Sequence, residues 1–226
     1  MKAVLVRPRF DEATQYTFDF AQEILEWCQQ AGIEVVELAE GEAVRAKVEE
    51  QLRKGADTLI FYDHGNESSL IGQDEQPAID LENCHFLNEK QVYTLACLSA
   101  KELGVAIWRR GGKYWGYKEV YGFTTDALKE FKEASNCGFM YIFIEAAPYG
   151  DALDKAKETF DRLSMDLVSQ GKIMAAVFMR ENGANLVAYN GSGPDDQNGG
   201  GCLPGLLKLP GVWVKSLFSG RNKKVC

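Results

Sequence analysis

The sequence is short of several things, and each shortage removes a class of function. None of its six cysteines (Cys28, Cys84, Cys97, Cys137, Cys202 and Cys226) stands in a C-x-x-C pair, so neither a zinc ribbon nor a thioredoxin motif is present. In a chain of 226 residues without a recognisable leader, these are expected to be free thiols. No apolar run approaches the roughly 20 residues that span a bilayer. The start, "MKAVLVRPRF", is too short an apolar stretch for a signal peptide and meets Arg7 at once. A cytoplasmic location with no membrane partner is therefore expected. Excess positive charge is also missing: the net charge is −8, which argues against a nucleic-acid surface and suits solubility. The stretch after the first strand, "VRPRFDEATQY", has no glycine to cradle a phosphate, which counts against a flavodoxin-type nucleotide-binding domain. Histidine is scarce as well, with only His64 and His85.

What is present alternates regularly. "KAVLVRP" reads as a buried strand stopped by Pro8. Residues 16–31 follow as a helix with Phe18, Ala21, Ile24, Leu25 and Cys28 on one face, ended by Gly32. "IEVVEL" is a second strand. Residues 42–54 form a surface helix on Val44, Val48 and Leu52, closed by Gly55. "TLIFY" and "QVYTLAC" are strands three and four, and "AKELGVAIWRR" is the helix after them. "EVYGF" reads as strand five, with Thr124 or Thr125 capping a helix to about residue 135. Strands alternating with amphipathic helices imply an α/β three-layer sandwich, a mainly parallel sheet covered on both faces.

Farther on, residues 151–170 predict a long helix ended by Gly171. "IMAAVFMRENGANLVAYNG" reads as a hairpin turning on Asn182-Gly183. Residues 191–201 are a glycine-rich loop, and the basic tail, about 217–226, is expected to be flexible. The whole chain, 1–226, is expected to be a single domain.

In parallel sheets ligands gather beyond the carboxyl ends of strands. His64 ends the third strand, in "DTLIFYDHGNESSLIG", and Cys97 ends the fourth, in "VYTLACLSAKELG". A cysteine attacks as thiolate and a neighbouring imidazole can take its proton, so the pair suits acyl transfer if the two loops converge. Gly65 lets the main chain approach a substrate, and the N–H groups of Gly65 and Cys97 are the natural oxyanion donors. A helix expected to start near Ser99 would favour both thiolate and oxyanion. The bland alternative makes Cys97 a small core residue and His64 a structural one. Asp63 or a carboxylate from elsewhere could orient His64. His85, next to Cys84, is read as structural or surface, because neighbours on an extended chain diverge and no four-ligand zinc set is formed.

"FYDHGNESSLIG" followed by "VYTLACLSAKELG" resembles the His-Gly and Ala-Cys signatures of caspase-like (clan CD) cysteine peptidases, nearest to gingipain-type and CHAT-type bacterial members. "RRGGKYWGYKEVYGF" is similar to the family's glycine-rich return. The resemblance covers residues 57–123 and implies a caspase-like fold, with the histidine after the third core strand and the cysteine after the fourth. It implies a cysteine endopeptidase acting on peptides or proteins, with His64 as general base and Cys97 as nucleophile. It implies no metal or organic cofactor for the chemistry, leaves calcium dependence open, and leaves open activation by cleavage or by a partner. The chain departs from the caspase Gln-Ala-Cys pattern with Leu95-Ala96-Cys97-Leu98-Ser99. The acidic residue that some Arg- or Lys-specific relatives carry before the nucleophile is absent at Thr94, Leu95 and Ala96. Primary specificity is therefore open. Trp115 and Tyr117 would line a substrate pocket or pack beneath it, and Glu145 and Asp195 are candidate acidic groups. Residues 68–82 are expected to form a small hairpin over the site or a solvated loop. The rival class is a non-catalytic caspase-like signalling or binding domain.

Overall fold

The computed structural model describes residues 1–191 and the main chain of residues 222–224. Strand β1 (Lys2–Arg7) leads into helix α1 (Glu12–Gln30), then β2 (Glu34–Ala39), α2 (Arg45–Arg53) and β3 (Thr58–Tyr62). Three short strands follow, β4 (Gly65–Asn66), β5 (Ser69–Ile71) and β6 (Pro77–Asp80), and then β7 (Gln91–Leu95), α3 (Glu102–Trp108) and β8 (Lys113–Tyr117). After β9 (Gly122–Thr124) come helices α4 (Leu128–Phe139), α5 (Tyr149–Ser169) and α6 (Ile173–Asn185). The elements end with β10 (Leu186–Tyr189) and β11 (Asn222–Lys224).

Six strands make one sheet in the order β10-β8-β7-β3-β1-β2, parallel throughout except for β10, which is antiparallel to β8. The central strands are apolar on both faces because both faces are covered. Ile60, Tyr62, Tyr93, Leu95 and Trp115 pack into one core with α1, α4, α5 and α6. Leu59, Phe61, Val92 and Tyr114 pack into the other with α2 and α3. This is the α/β architecture expected from the alternation. Among the described residues, no helix is long and apolar enough to cross a membrane.

Several expectations are corrected. The fifth sheet strand is "KYWGY", not "EVYGF"; the tyrosines and tryptophan that suggested a pocket are residues that favour strands. The helix after β9 begins at Leu128, behind a 3-10 turn, and neither Thr124 nor Thr125 caps that turn through its side chain; Thr124 Oγ1 is buried without a partner. Helix α4 runs on into a π-turn (Met140–Ile144) that is closed by Glu145. Residues 68–82 do form β5 and β6, but Leu70, Ala78 and Ile79 join the α2–α3 core. Residues 222–224 of the tail form a strand. The loop at 191–201 lies, apart from Gly191, outside the described residues, as do Asp195, Cys202 and Cys226.

The largest correction is α6, which stands where the first strand and the turn of a hairpin were expected; the second strand is present as β10. Met, Ala, Arg and Glu in this stretch are good helix formers. Asn182 and Gly183 are not a turn: both are buried inside the helix. Gly183 is small because α5 passes against it; a Cβ there would lie 2.6 Å from Phe160 Cβ. Gly183→Ala is therefore expected to lower the melting temperature, at an overpacking cost of about 1–3 kcal/mol. Gly150→Ala, in the first turn of α5 and in open space, should raise it slightly, by less than the roughly 0.5–1 kcal/mol of a mid-helix site. Parallel thermal melts check both signs.

Candidate active site

The β3–β7 ladder places the two residues that the strand ends single out. Tyr62 pairs with Leu95 in parallel register, and the Asp63 N–H donates to Leu95 O at 3.2 Å, so the pairing continues past both strands. His64 and Cys97 each follow two residues beyond this last pair, in the loops that leave β3 and β7. Alternation puts Cys97 on the face of Leu95, and it joins that core. Gly65 closes the gap between the loops. A Cβ on it would lie 2.9 Å from Cys97 O and 3.0 Å from Ala96 Cβ, so no other residue fits without a shift.

His64 is held from the start of α1. Asp11 caps that helix: its Oδ1 accepts the Thr14 N–H at 2.7 Å, and Thr14 Oγ1 accepts the Asp11 N–H at 2.9 Å. Its other oxygen lies 2.9 Å from His64 Nε2. Partial burial pushes the Asp11 carboxyl up, but the Thr14 N–H and His64 outweigh it and hold the group below its ordinary value. An ionised Asp11 accepts, so Nε2–H donates and Nδ1 carries the lone pair; this tautomer is assigned from the network. Nδ1 is buried and makes no hydrogen bond.

Cys97 is buried, with 1% of its surface exposed. The Tyr121 main-chain N–H points at its sulfur from 3.2 Å. The sulfur also faces Tyr121 O at 3.9 Å, so one residue offers it both a donor and an acceptor. Leu98, the next residue, has φ of +60°, an unusual conformation for a branched side chain. Its N–H donates to Glu119 O (3.1 Å), and the Ala100 N–H donates to Tyr117 O (3.1 Å), which fixes the sharp turn. Helix α3 starts only at Glu102, and Glu67 O takes the N–H groups of Glu102 and Leu103. The helix expected near Ser99 is therefore not at the sulfur, and Tyr121 N–H stands there instead.

Gly65 also has its main-chain groups turned outward. His64 O accepts the Ile71 N–H, and Asn66 pairs with Ser69, so the intervening Gly65 belongs to a non-hydrogen-bonded pair with Leu70. Its N–H points from the outer edge of β4.

Asp63 does not orient His64. Its carboxyl is 1% exposed and neither oxygen has a hydrogen bond. Desolvation pushes it up to about 9; the nearby His64 N–H offsets part of this without completing a bond, and the Asp11 charge adds to it.

Other candidates fall elsewhere. Trp115 and Tyr117 are each 1% exposed and pack beneath the site: Trp115 stacks on Tyr93, and Tyr117 meets Tyr121 edge-on. They wall the core and do not line an open pocket. Glu145 pairs with Lys155 on α5 at 3.6 Å. His85 is exposed and its Nδ1 bonds Glu82 O. Cys28, Cys84, Cys97 and Cys137 are free thiols; burial pushes Cys28 up to about 11 and Cys137 up to about 12, which makes both inert. Among the described residues, no group of three or more His, Cys, Asp or Glu side chains could hold a metal ion. Asp11, Leu98 and Tyr121 were missed in the sequence; the Asp11-x-x-Thr14 spacing was a helix-start signal that would have found the first.

Neither protein-family models nor curated proteins give a match to this chain.

The buried Asp63 makes stability depend on pH. Unfolded, an Asp titrates near 3.9, so between that value and about 9 the folded state holds a proton that the unfolded state has released. Stability is then lost progressively as pH rises through that window. Urea melts at pH 5 to 8.5 should show a steeper decline for the parent than for Asp63→Asn, and parallel curves would contradict this account.

Proposed function

We propose that the protein is a cysteine endopeptidase of caspase-like type, with Cys97 as nucleophile and His64 as general base. What supports the reading is the parallel register that ends at Tyr62 and Leu95, together with the close approach of Gly65 to the Cys97 main chain, where a Cβ would lie 2.9 Å from Cys97 O. The resemblance of the His-Gly and Ala-Cys stretches, and their order along the chain, supports the same assignment.

In this mechanism His64 Nδ1 takes the Cys97 thiol proton, and the thiolate attacks the peptide carbonyl carbon. The carbonyl π bond opens and its oxygen becomes an oxyanion, held by the Gly65 and Cys97 N–H groups. Collapse breaks the C–N bond, the amine leaves with the proton from His64, and a thioester remains. Water, losing a proton to His64, then attacks the thioester and returns the thiol. Asp11 fixes the tautomer and stabilises the imidazolium, as a positioning residue. Hydrogen bonds of this kind tighten in the substrate complex, in keeping with an Nδ1 that has no partner in the free protein.

A peptidyl acyloxymethyl ketone should label Cys97 alone, and His64→Ala should abolish that labelling. Label spread over several thiols, or retained without His64, would favour the non-catalytic binding domain. Peptide hydrolysis should fall by about 10²–10⁴-fold in His64→Ala.

Asp11→Asn keeps the helix cap, since Asn caps as well as Asp. It should leave the melting temperature unchanged and lower kcat/KM by about 10-fold to 10⁴-fold, the upper bound being the same change in a Ser-His-Asp triad. Unchanged kinetics would remove Asp11 from the machinery.

A further inference from the structure

The two edges of β9 are engaged differently. Asn182, buried on α6, takes both main-chain groups of Gly122: the Gly122 N–H donates to Oδ1 at 3.0 Å, and Nδ2 donates to Gly122 O at 2.7 Å. Main-chain groups of successive residues in an extended strand face opposite edges. The Gly122 edge therefore belongs to α6, while Tyr121 and Phe123 face the other way. That second edge is the one beside Cys97, because it is the Tyr121 N–H that reaches Sγ.

Residues 222–224 lie along β9 as the antiparallel strand β11, with Asn222 opposite Thr124, Lys223 opposite Phe123 and Lys224 opposite Gly122. With the Gly122 groups held by Asn182, the ladder falls to Phe123. β11 thus runs along the Cys97 edge, and its direction is toward Tyr121 and the sulfur.

We propose that the Phe123 edge of β9 docks an extended peptide running toward Cys97, and that residues 222–224 occupy this edge in cis. Strand addition takes its affinity from main-chain hydrogen bonds and tolerates varied side chains, so an incoming peptide and β11 compete for one ladder. A tethered occupant has an effective concentration of about millimolar, enough to hold the edge against dilute peptide in trans. The consequence for hydrolysis rests on the peptidase reading; the docking itself does not.

Lys223→Pro removes the N–H opposite Phe123 and is incompatible with the ladder. The readout is the rate at which iodoacetamide alkylates Cys97, followed by mass spectrometry, which needs no peptidase activity. Lys223→Pro should speed it by about tenfold, the factor for a tethered competitor at about millimolar effective concentration that binds the edge with a Kd of about 0.1 mM. A synthetic peptide covering residues 219–225 should slow it again, and the same peptide with proline at the Lys223 position should not. Unchanged alkylation of buried Cys28 and Cys137 reports an intact fold. In the parent protein, amide exchange at Phe123 should be slow, a measurement that stands even if the variant unfolds. Equal alkylation rates in parent and variant, or rapid exchange at Phe123, would overturn the proposal. Faster alkylation without hydrolysis of any peptide would keep the docking edge and sink the peptidase reading.

Discussion

A single main-chain hydrogen bond, from the Asp63 N–H to Leu95 O, extends the β3–β7 ladder beyond the strands and fixes what meets at their ends. A slip of one residue in that ladder would turn every side chain to the opposite face. The register resists such a slip because both faces are buried: Leu59, Phe61 and Val92 fill the α2–α3 core, while Ile60, Tyr62, Tyr93 and Leu95 fill the other. His64 and Cys97 each follow two residues beyond the last pair of this register. Gly65 then allows the two loops to touch at the main chain.

The ends of these strands carry features that oppose stability. Leu98 sits in a left-handed conformation, Asp63 is buried without a hydrogen bond, and His64 Nδ1 has none either. A left-handed residue and a buried polar group without a partner each cost about 1–3 kcal/mol and persist only where the surroundings over-determine them. Here the surroundings do so. Glu119 O and Tyr117 O pin the turn after Cys97, and Glu67 O fastens the start of α3. Below, the stacked rings of Tyr62, Tyr93 and Trp115 form a rigid floor. The floor is tied into the helices by Tyr62, whose hydroxyl donates to Asn136, and by Tyr93, whose hydroxyl donates to Ser135 O.

Legibility followed burial. β1, β3 and β7 were readable because a strand covered on both sides is a continuous apolar run, and such runs end abruptly. β8 was not, because its aromatic residues follow Gly111-Gly112 and suggested a loop with a pocket. α6 was not, because Asn-Gly is a strong local turn signal; burial of Asn182 against Gly122 and of Gly183 against Phe160 overrode it. Among the candidate residues, His64, Gly65 and Cys97 were legible as the points where apolar runs stop. Trp115 and Tyr117 are buried in the core, and no sequence pattern says whether a ring faces a cleft or a core.

By itself the sequence determined the alternation of elements, the parallel sheet, and the points where apolar runs stop, because these follow from local periodicity and backbone preference. Only the tertiary structure decided which groups surround those points. Asp11 reaches His64 across 53 positions of chain, and Tyr121 reaches Cys97 across 24. The reason is physical: hydrogen bonds between loops depend on where separately packed elements end, and no local period records that.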